Sequence, residues 1–513
     1  MAQLTVALES APGYLFLPPL GTHLAEVLAD TLALARSRPD LLALIHADQE
    51  AEARRKKGQR LADRAYVPPT QPEWAWPWAP VVALPGDGHR LTLATGRSRL
   101  PPLAVLVLLV LRGHYGNLGR SDGYARLQES YSLRRWFAAQ GWRWPAYNTV
   151  ADNLRVVGEA TRQAVVTAQL QAVQAAGLDD FRELIPDSTH VAANSAWPTD
   201  SGLLLGLLER TARGFTRLAR DGVWRLPAWG WESRWLQQLR RTHLQLQLAG
   251  GRTRRGRRRR YGEHLDLAAK LLARFSDAWD QVDETFVPAA WRPTHRQRHR
   301  RLLDRLLADL MAVDDLIAAA YRRVFQGQRP SPTERVLSLA DPDAAMIVKG
   351  GRQPVLGYRV TLGRSARGFV STLLVPTGNV ADSTQLAPAV RDSCRRTGVV
   401  PVTVSADDGF SSAAGCRMMR HLGVPTVSLS GAKGRRLTGE ADWLSDAYAA
   451  LRRQRSGIER VIGQLKQQHA FGRLRHRGHG PAQAELLEKV LAYNILRAIS
   501  LRYAAARDAP AAA

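Results

Sequence analysis

From about Leu337 onward, short apolar runs bounded by Gly and Pro alternate with longer amphipathic runs, and this alternation most constrains the fold. Residues 357–362 and 369–375 read as two strands, with Gly363 and Gly368 bounding the turn between them. A helix is predicted over 384–396. An apolar run from Val399 ends in Asp407-Asp408-Gly409-Phe410, a buried strand running into a turn. A helix over 411–422, a strand over 424–429 and a basic loop holding Lys433, Arg435 and Arg436 follow. A long helix is predicted over 445–471, and an amphipathic helix over 484–502 closes the pattern. One more strand, residues 184–191, stands far upstream. Strands alternating with helices of crossover length predict an α/β fold with a mixed sheet. Its first strand is separated from the others by residues that read as helical and very basic, about 202–328.

The upstream third is also helical. Residues 103–111 form an apolar run, Ser121-Asp122 can cap a helix toward Glu129, Ser132 one through Phe137, and Thr149 one running on to Ala175. Short helices with polar turns are compatible with a helix-turn-helix DNA-binding unit. Residues 24–44 have helical periodicity. Trp74, Trp76 and Trp78 alternate in a Pro-rich stretch that suits a packed arm or linker, and also stacking on bases.

Charge narrows the partner. The 513 residues carry 72 Lys and Arg against 46 Asp and Glu, a formal +26, with a pI of about 11.0. Such a balance favours a polyanion, nucleic acid before an anionic membrane surface. Only seven of the 72 basic residues are Lys, and Arg suits bidentate contact with phosphate. Residues 252–260 hold seven Arg in nine positions, a run that reads as a solvated loop or arm or, in a chain of this charge, as contact with a DNA backbone. The two cysteines, Cys394 and Cys416, form no C-x-x-C pair, which excludes a zinc site built on cysteine and fits a reduced compartment. The first residues lack a basic region followed by an apolar core, and the run at 103–111 is too short to span a bilayer. A soluble, cytoplasmic protein with no membrane partner is expected.

Three acids stand out. Asp187 lies on the first predicted strand, Asp407 follows the apolar run from Val399, and Glu459 lies on the long predicted helix. On a continuous helix Arg452, Arg455 and Lys466, at −7, −4 and +7, would share the face of Glu459. Alone, that row is what a solvated helix face with ion pairs looks like. Together with two acids on strands of an α/β sheet, it also suits a carboxylate metal site flanked by phosphate-binding cations. Hard oxygen donors with no cysteine nearby suit Mg²⁺ or Mn²⁺, and two such ions can activate a water and stabilise a leaving oxygen on a phosphodiester.

Three blocks resemble the DDE transposases of bacterial insertion sequences. Asp187-Ser188-Thr189-His190-Val191, followed by Asn194 and by Pro198-Thr199-Asp200-Ser201-Gly202-Leu203-Leu204, looks like the first. Asp407-Asp408-Gly409-Phe410 looks like the second, where the family usually has D-R-G-Y or D-R-G-F. Arg455-x3-Glu459-x6-Lys466 looks like the third, part of a Y-x2-R-x3-E-x6-K signature, and residues 469–478, with Arg473, are similar to its continuation. The chain departs from the pattern twice: Arg452 holds the tyrosine position, and Asp408 replaces the arginine after the second acid. Asp407, directly after the apolar strand, is preferred to Asp408 as the family's ligand.

The resemblance implies an RNase H-like catalytic core. Its first strand lies in 183–205, a basic helical insertion spans 206–336, and the remainder spans 337–502. A helical DNA-binding region would occupy 96–180, a region without an assigned role 1–95, and a disordered tail 503–513. Asp187, Asp407 and Glu459 would be catalytic and hold two Mg²⁺ or Mn²⁺ ions. Arg452, Arg455, Lys466 and Arg473 would grip DNA. The implied activity is binding of terminal inverted repeats, cleavage, and transfer of the freed 3′ end to target DNA. A dimer would assemble in the synaptic complex, associated with the nucleoid. Two other readings stay open at this point: a nuclease of the same fold that does not join strands, and a non-catalytic DNA-binding descendant of a decayed element.

Overall fold

A computed structural model of the chain describes residues 20–65, 99–115, 121–195, 197–221, 231–248, 253–282, 287–288, 290–328, 338–348 and 353–508. The alternating Trp74, Trp76 and Trp78 lie outside these. Two compact units are present, one formed by segments 1–52, 95–194 and 343–513, the other by 53–94 and 195–342.

Seven helices precede the first strand among the described residues: α1 (Leu20–Ser37), α2 (Asp40–Ala65), α3 (Pro102–Tyr115), α4 (Ser121–Glu129), α5 (Tyr131–Ala139), α6 (Tyr147–Val156) and α7 (Glu159–Ala175). Ser130, not Ser132, caps α5, its side chain accepting from the Leu133 N–H. The single helix expected from Thr149 to Ala175 is two helices. The carboxylate of Asp48 on α2 takes the Gly158 N–H (2.7 Å) and the Thr161 hydroxyl (2.7 Å), fixing a new helix start there.

The strands β1 (Glu183–Ala192), β2 (Ala345–Ile347), β3 (Val355–Arg364), β4 (Val370–Leu374), β5 (Thr403–Ala406) and β6 (Thr426–Leu429) form one mixed sheet, ordered β2-β3-β1-β5-β6, with β4 also on β3. β1, β2 and β4 run antiparallel to their neighbour β3, whereas β5 is parallel to β1 and β6 to β5. The expected strand–helix alternation is therefore present.

Between β1 and β2 lie the helices of the second unit: α8 (Asp200–Arg220), α9 (Trp231–Leu248), α10 (Arg254–Trp279) and α11 (Pro293–Tyr321). Thr199 caps α8, its side chain accepting from the Gly202 N–H (3.1 Å). Leu204, Leu207, Phe215, Leu271, Phe275, Leu306 and Val313 build its core. The residues 254–260, expected as a loop or arm, are the first turns of α10.

After β4 come α12 (Leu386–Thr397), α13 (Ala413–His421) past β5, then α14 (Gly431–Thr438), α15 (Glu440–Leu444), α16 (Asp446–Gln454), α17 (Gly457–Gln468) and α18 (His479–Asp508). The basic loop of Lys433, Arg435 and Arg436 is helix α14. α18 runs to Asp508, into the segment expected to be a disordered tail. Leu184, Val404 and Ala406 pack with Leu386 and Val390 of α12 and Met419 of α13, which makes one face of the sheet apolar core. No helix among the described residues is long and apolar enough to cross a membrane.

Candidate active site

The opposite face of the sheet carries the acids. β1 and β5 pair with Glu183 opposite Thr403 and Leu184 opposite Val404, an offset of 220. Asp187 and Asp407 are also 220 residues apart, so the same offset continued would bring them level. Asp407 follows the last residue of β5. The ladder stops at Leu184 and Val404, so neither aspartate lies inside a paired stretch of β1 and β5. Side chains alternate along a strand, so Asp187 shares a face with Glu183 and Ile185, and Asp407 with Thr403 and Ser405. The Ser405 hydroxyl donates to the Leu451 carbonyl of α16 (3.1 Å), which identifies this as the face covered by α16 and α17. Both aspartates are half-buried. Asp187 accepts the Ser188 N–H (2.7 Å) and Asp407 the Gly409 N–H (3.4 Å).

Asp408 has a different task. One of its oxygens accepts the N–H groups of Lys433 and Gly434 (both 3.1 Å) and the Ser411 hydroxyl (3.3 Å). A carboxylate on the first turn of α14 satisfies donors that the helix leaves open and meets the positive end of its dipole. This contact also explains why 431–438 is helical despite its charge. Gly431 makes it possible, with φ at +84°, and a Cβ there would overlap the Asp408 carboxylate. Gly431→Ala is expected to destabilise the protein by about 1–3 kcal/mol, from strain and the displaced cap, read as a lowered melting temperature.

The long helix expected over 445–471 is broken at Arg455–Ser456. There the Ile458 and Glu459 N–H groups bond three residues back (3.2 and 3.1 Å), and the Ser456 hydroxyl donates to the Arg453 carbonyl (3.1 Å). At Gly457 the guanidinium of Arg364, from the end of β3, occupies the space a Cβ would need. On α17, Ile458, Val461 and Leu465 are buried at helical spacing, and Glu459 and Lys466 each follow a member of that stripe. They therefore lie along one edge of the helix where it meets the sheet. Glu459 is 64% exposed and sits 3.7 Å from Arg455. Arg452 does not join this row. Its guanidinium stacks on Trp443 (4.2 Å to the ring centre) and donates to the Trp443 carbonyl (2.8 Å).

Beyond α17 the chain returns to β1. The Ala192 N–H donates to the Gly472 carbonyl (3.0 Å), and the Leu474 N–H to the Ala192 carbonyl (2.8 Å). The Asn194 side-chain amide donates to the Arg475 carbonyl. A cleft of about 500 Å³ opens here, lined by Asn194, Lys466, Ala470, Gly472, Arg473, Leu474 and Arg475. Three cations in one cleft suit an anionic ligand. Its wall is held from behind by α18. Glu485 accepts the N–H groups of Arg475 (3.0 Å) and His476 (3.1 Å) and the His476 ring Nδ1–H (2.9 Å), while Lys489 reaches Glu485 (2.6 Å) and the Ala470 carbonyl (2.9 Å). Burial alone would raise the Glu485 carboxyl, but the His476 bond and the Lys489 charge prevail and hold it at about 2.

The sequence did not mark Glu485 and Lys489. Their signal is two charges on the stripe of 484–502 that its periodicity assigns to the core. Asp382 was also missed. It lies beside Gly409 and pairs with Arg359 of β3 (2.5 Å).

The donor chemistry of Asp187 and Asp407, two hard carboxylates, fits a divalent cation. Glu459 is turned toward Arg455 instead. Among the described residues no three His, Cys, Asp or Glu side chains converge closely enough to hold a metal ion.

Three antiparallel strands followed by two parallel ones, with acids on β1 and after β5, define an RNase H-like core. Residues 342–495 match the family model for the transposase DDE domain, which supports a DDE-type transposase. The matched segment contains Asp407, Glu459, Lys466 and Arg473 and begins after Asp187, so the first acid rests on the sheet register alone. No curated protein and no solved structure matches the chain significantly.

Proposed function

We propose that the chain binds the terminal inverted repeats of an insertion sequence and catalyses metal-dependent cleavage and strand transfer of its ends. What supports this reading is the match of residues 342–495 to the transposase DDE domain, together with the offset of 220 residues that Asp187 and Asp407 share with the paired residues of β1 and β5.

Asp187, Asp407 and Glu459 are the residues that would hold Mg²⁺ or Mn²⁺. When bound, such ions would activate the attacking hydroxyl and offset the charge that builds on the phosphodiester. The remaining work falls to the chain. Arg455 neutralises Glu459 in the free protein, and Lys466 and Arg473, in the cleft, take phosphates of the DNA end. Arg452 supports Trp443 rather than reaching for DNA. The helices α4 to α6 supply contacts to the inverted repeats, and two chains pair the two ends.

The test is an assay of the purified chain with Mg²⁺, labelled element-end duplex and a target plasmid. Cleaved ends joined to target are expected. Cleavage without joining would assign a nuclease, and binding without cleavage a non-catalytic protein; either would overturn the reading. Lys466→Ala is expected to weaken end-DNA binding about tenfold and to make its salt slope shallower by about 0.9, the loss of one phosphate contact. An unchanged affinity would remove Lys466 from the interface.

A further inference from the structure

Within the second unit, α10 begins in a way that its own electrostatics oppose. Six of its first seven residues are arginine, and no acid stands in its first turn. The backbone there already presents unpaired N–H groups and the positive end of the helix dipole, where cations are unfavourable. Thr253 caps the helix, its hydroxyl accepting the Gly256 N–H (3.1 Å), so the segment is helical in spite of the repulsion. Relief from within is slight. Arg259 approaches Glu263 at 3.6 Å on an exposed surface. Arg258 lies over the Phe325 ring (5.5 Å to its centre) and donates to the Phe325 carbonyl (2.6 Å), which anchors the helix without adding negative charge. Arg254 and Arg255 have no ion-pair partner among the described residues.

The arrangement around the helix identifies the occupant. The core stripe of α10 runs through Tyr261, His264, Leu265, Ala268 and Leu271. Arg257 lies four residues before Tyr261, on the continuation of that stripe, yet it is exposed. Arg254 continues the line, while Arg255 and Arg259 stand on the far side, and all three are exposed. The first turns thus overhang the core with cations on every side. A membrane-lying helix needs an apolar face, which residues 254–260 do not offer. Reading base edges needs a defined set of side chains on one face, whereas phosphates of a backbone accept guanidinium from any side.

We infer that the first two turns of α10 clamp the sugar-phosphate backbone of double-stranded DNA independently of its sequence, and are not readers of the inverted repeats. This rests on the DNA-directed reading above. It assigns Arg254, Arg255, Arg257 and Arg259 to phosphates, at the element ends and on target DNA alike.

The experiment uses the full chain with all four replaced, Arg254→Ala, Arg255→Ala, Arg257→Ala and Arg259→Ala. Binding is measured across salt concentrations on a random-sequence duplex and on the terminal inverted repeat. The slope of log affinity against log salt is expected to become shallower by about 3.6 on both duplexes, at ~0.9 for each of four lost phosphate contacts, with the ratio between duplexes unchanged. The melting temperature is expected to hold or rise, because Ala favours helix and the repulsion is gone. An unchanged slope, or a loss confined to the inverted repeat, would overturn the inference. So would a loss of binding to phosphatidylserine vesicles with DNA binding intact. If the wild type binds both duplexes and the slope falls as expected, yet no cleavage or joining occurs, the clamp stands and the proposed activity fails.

Discussion

Asp407→Asn is expected to reduce Mg²⁺-dependent cleavage of element-end DNA by at least about a thousandfold, a barrier increase of about 4 kcal/mol, while end binding stays within about threefold. The amide keeps the size of the carboxylate and its acceptor for the Gly409 N–H, so the turn should survive. What it loses is the charge that a divalent cation needs. Asp187→Asn should behave alike, because Asp187 shares with Asp407 the 220-residue offset of the β1–β5 pairing. Asp408→Asn is the contrasting variant. Its carboxylate is engaged by the N–H groups of Lys433 and Gly434, so neutralising it should cost about 1 kcal/mol of stability and leave most of the cleavage activity. Cleavage rates and melting temperatures of the three proteins decide the matter. A dead Asp408→Asn beside an active Asp407→Asn would exchange the two roles.

That contrast shows what a sequence can and cannot reveal at such a site. An apolar run ending in two acids and a glycine locates the end of a strand, and the structure puts β5 there. Which acid faces the site is legible only through the partners of the other, and those partners lie 25 and 26 residues on, in a helix the charge pattern concealed. The offset between Asp187 and Asp407 acquires meaning only when the pairing of β1 with β5 is known. The insertion between β1 and β2 was readable as helical and basic, but not the helical start at Arg254, because its Thr253 cap is a single residue in a run of arginines.

The errors share a cause. Periodicity made 445–471 one helix, and the sequence holds only a weak Ser-Gly signal against it; the break is completed by Arg364, which arrives from β3. The helix expected to run from Thr149 to Ala175 is divided where Asp48 reaches Gly158. Both interruptions are made by side chains distant in the chain, which local propensity does not see. The stacking of Arg452 on Trp443 belongs with them: a one-helix reading turns Arg452 toward Glu459, and the break turns it away.

Glu488→Ala is expected to give the largest loss of stability, about 3–5 kcal/mol, which is a large part of what holds a typical domain folded. Glu488 of α18 is buried, and its carboxylate binds Arg112 of α3 (2.5 Å from Nε) and Arg162 of α7 (2.7 Å). Arg162 also donates to the Leu154 carbonyl (2.7 Å), so the carboxylate ties three helices and the end of a fourth. Alanine would strand two guanidinium groups in a tight interface: at Gly113, beside Arg112, a Cβ would overlap the Glu488 backbone carbonyl. Burial alone would raise the Glu488 carboxyl, but the two arginines outweigh it and hold it below its ordinary value. Glu485, one turn earlier in α18, is held at about 2. A carboxyl whose folded value is depressed contributes stability above its unfolded value, near 4.5, and loses it as pH falls through the folded value. The wild type should therefore lose stability as pH drops from about 4.5 toward 2. Glu488→Gln, which keeps the shape without the charge, should be less stable at neutral pH and show a flatter decline. Urea unfolding across that range measures both, and a Glu488→Gln curve parallel to wild type would mean that the pair of arginines does not set the Glu488 charge.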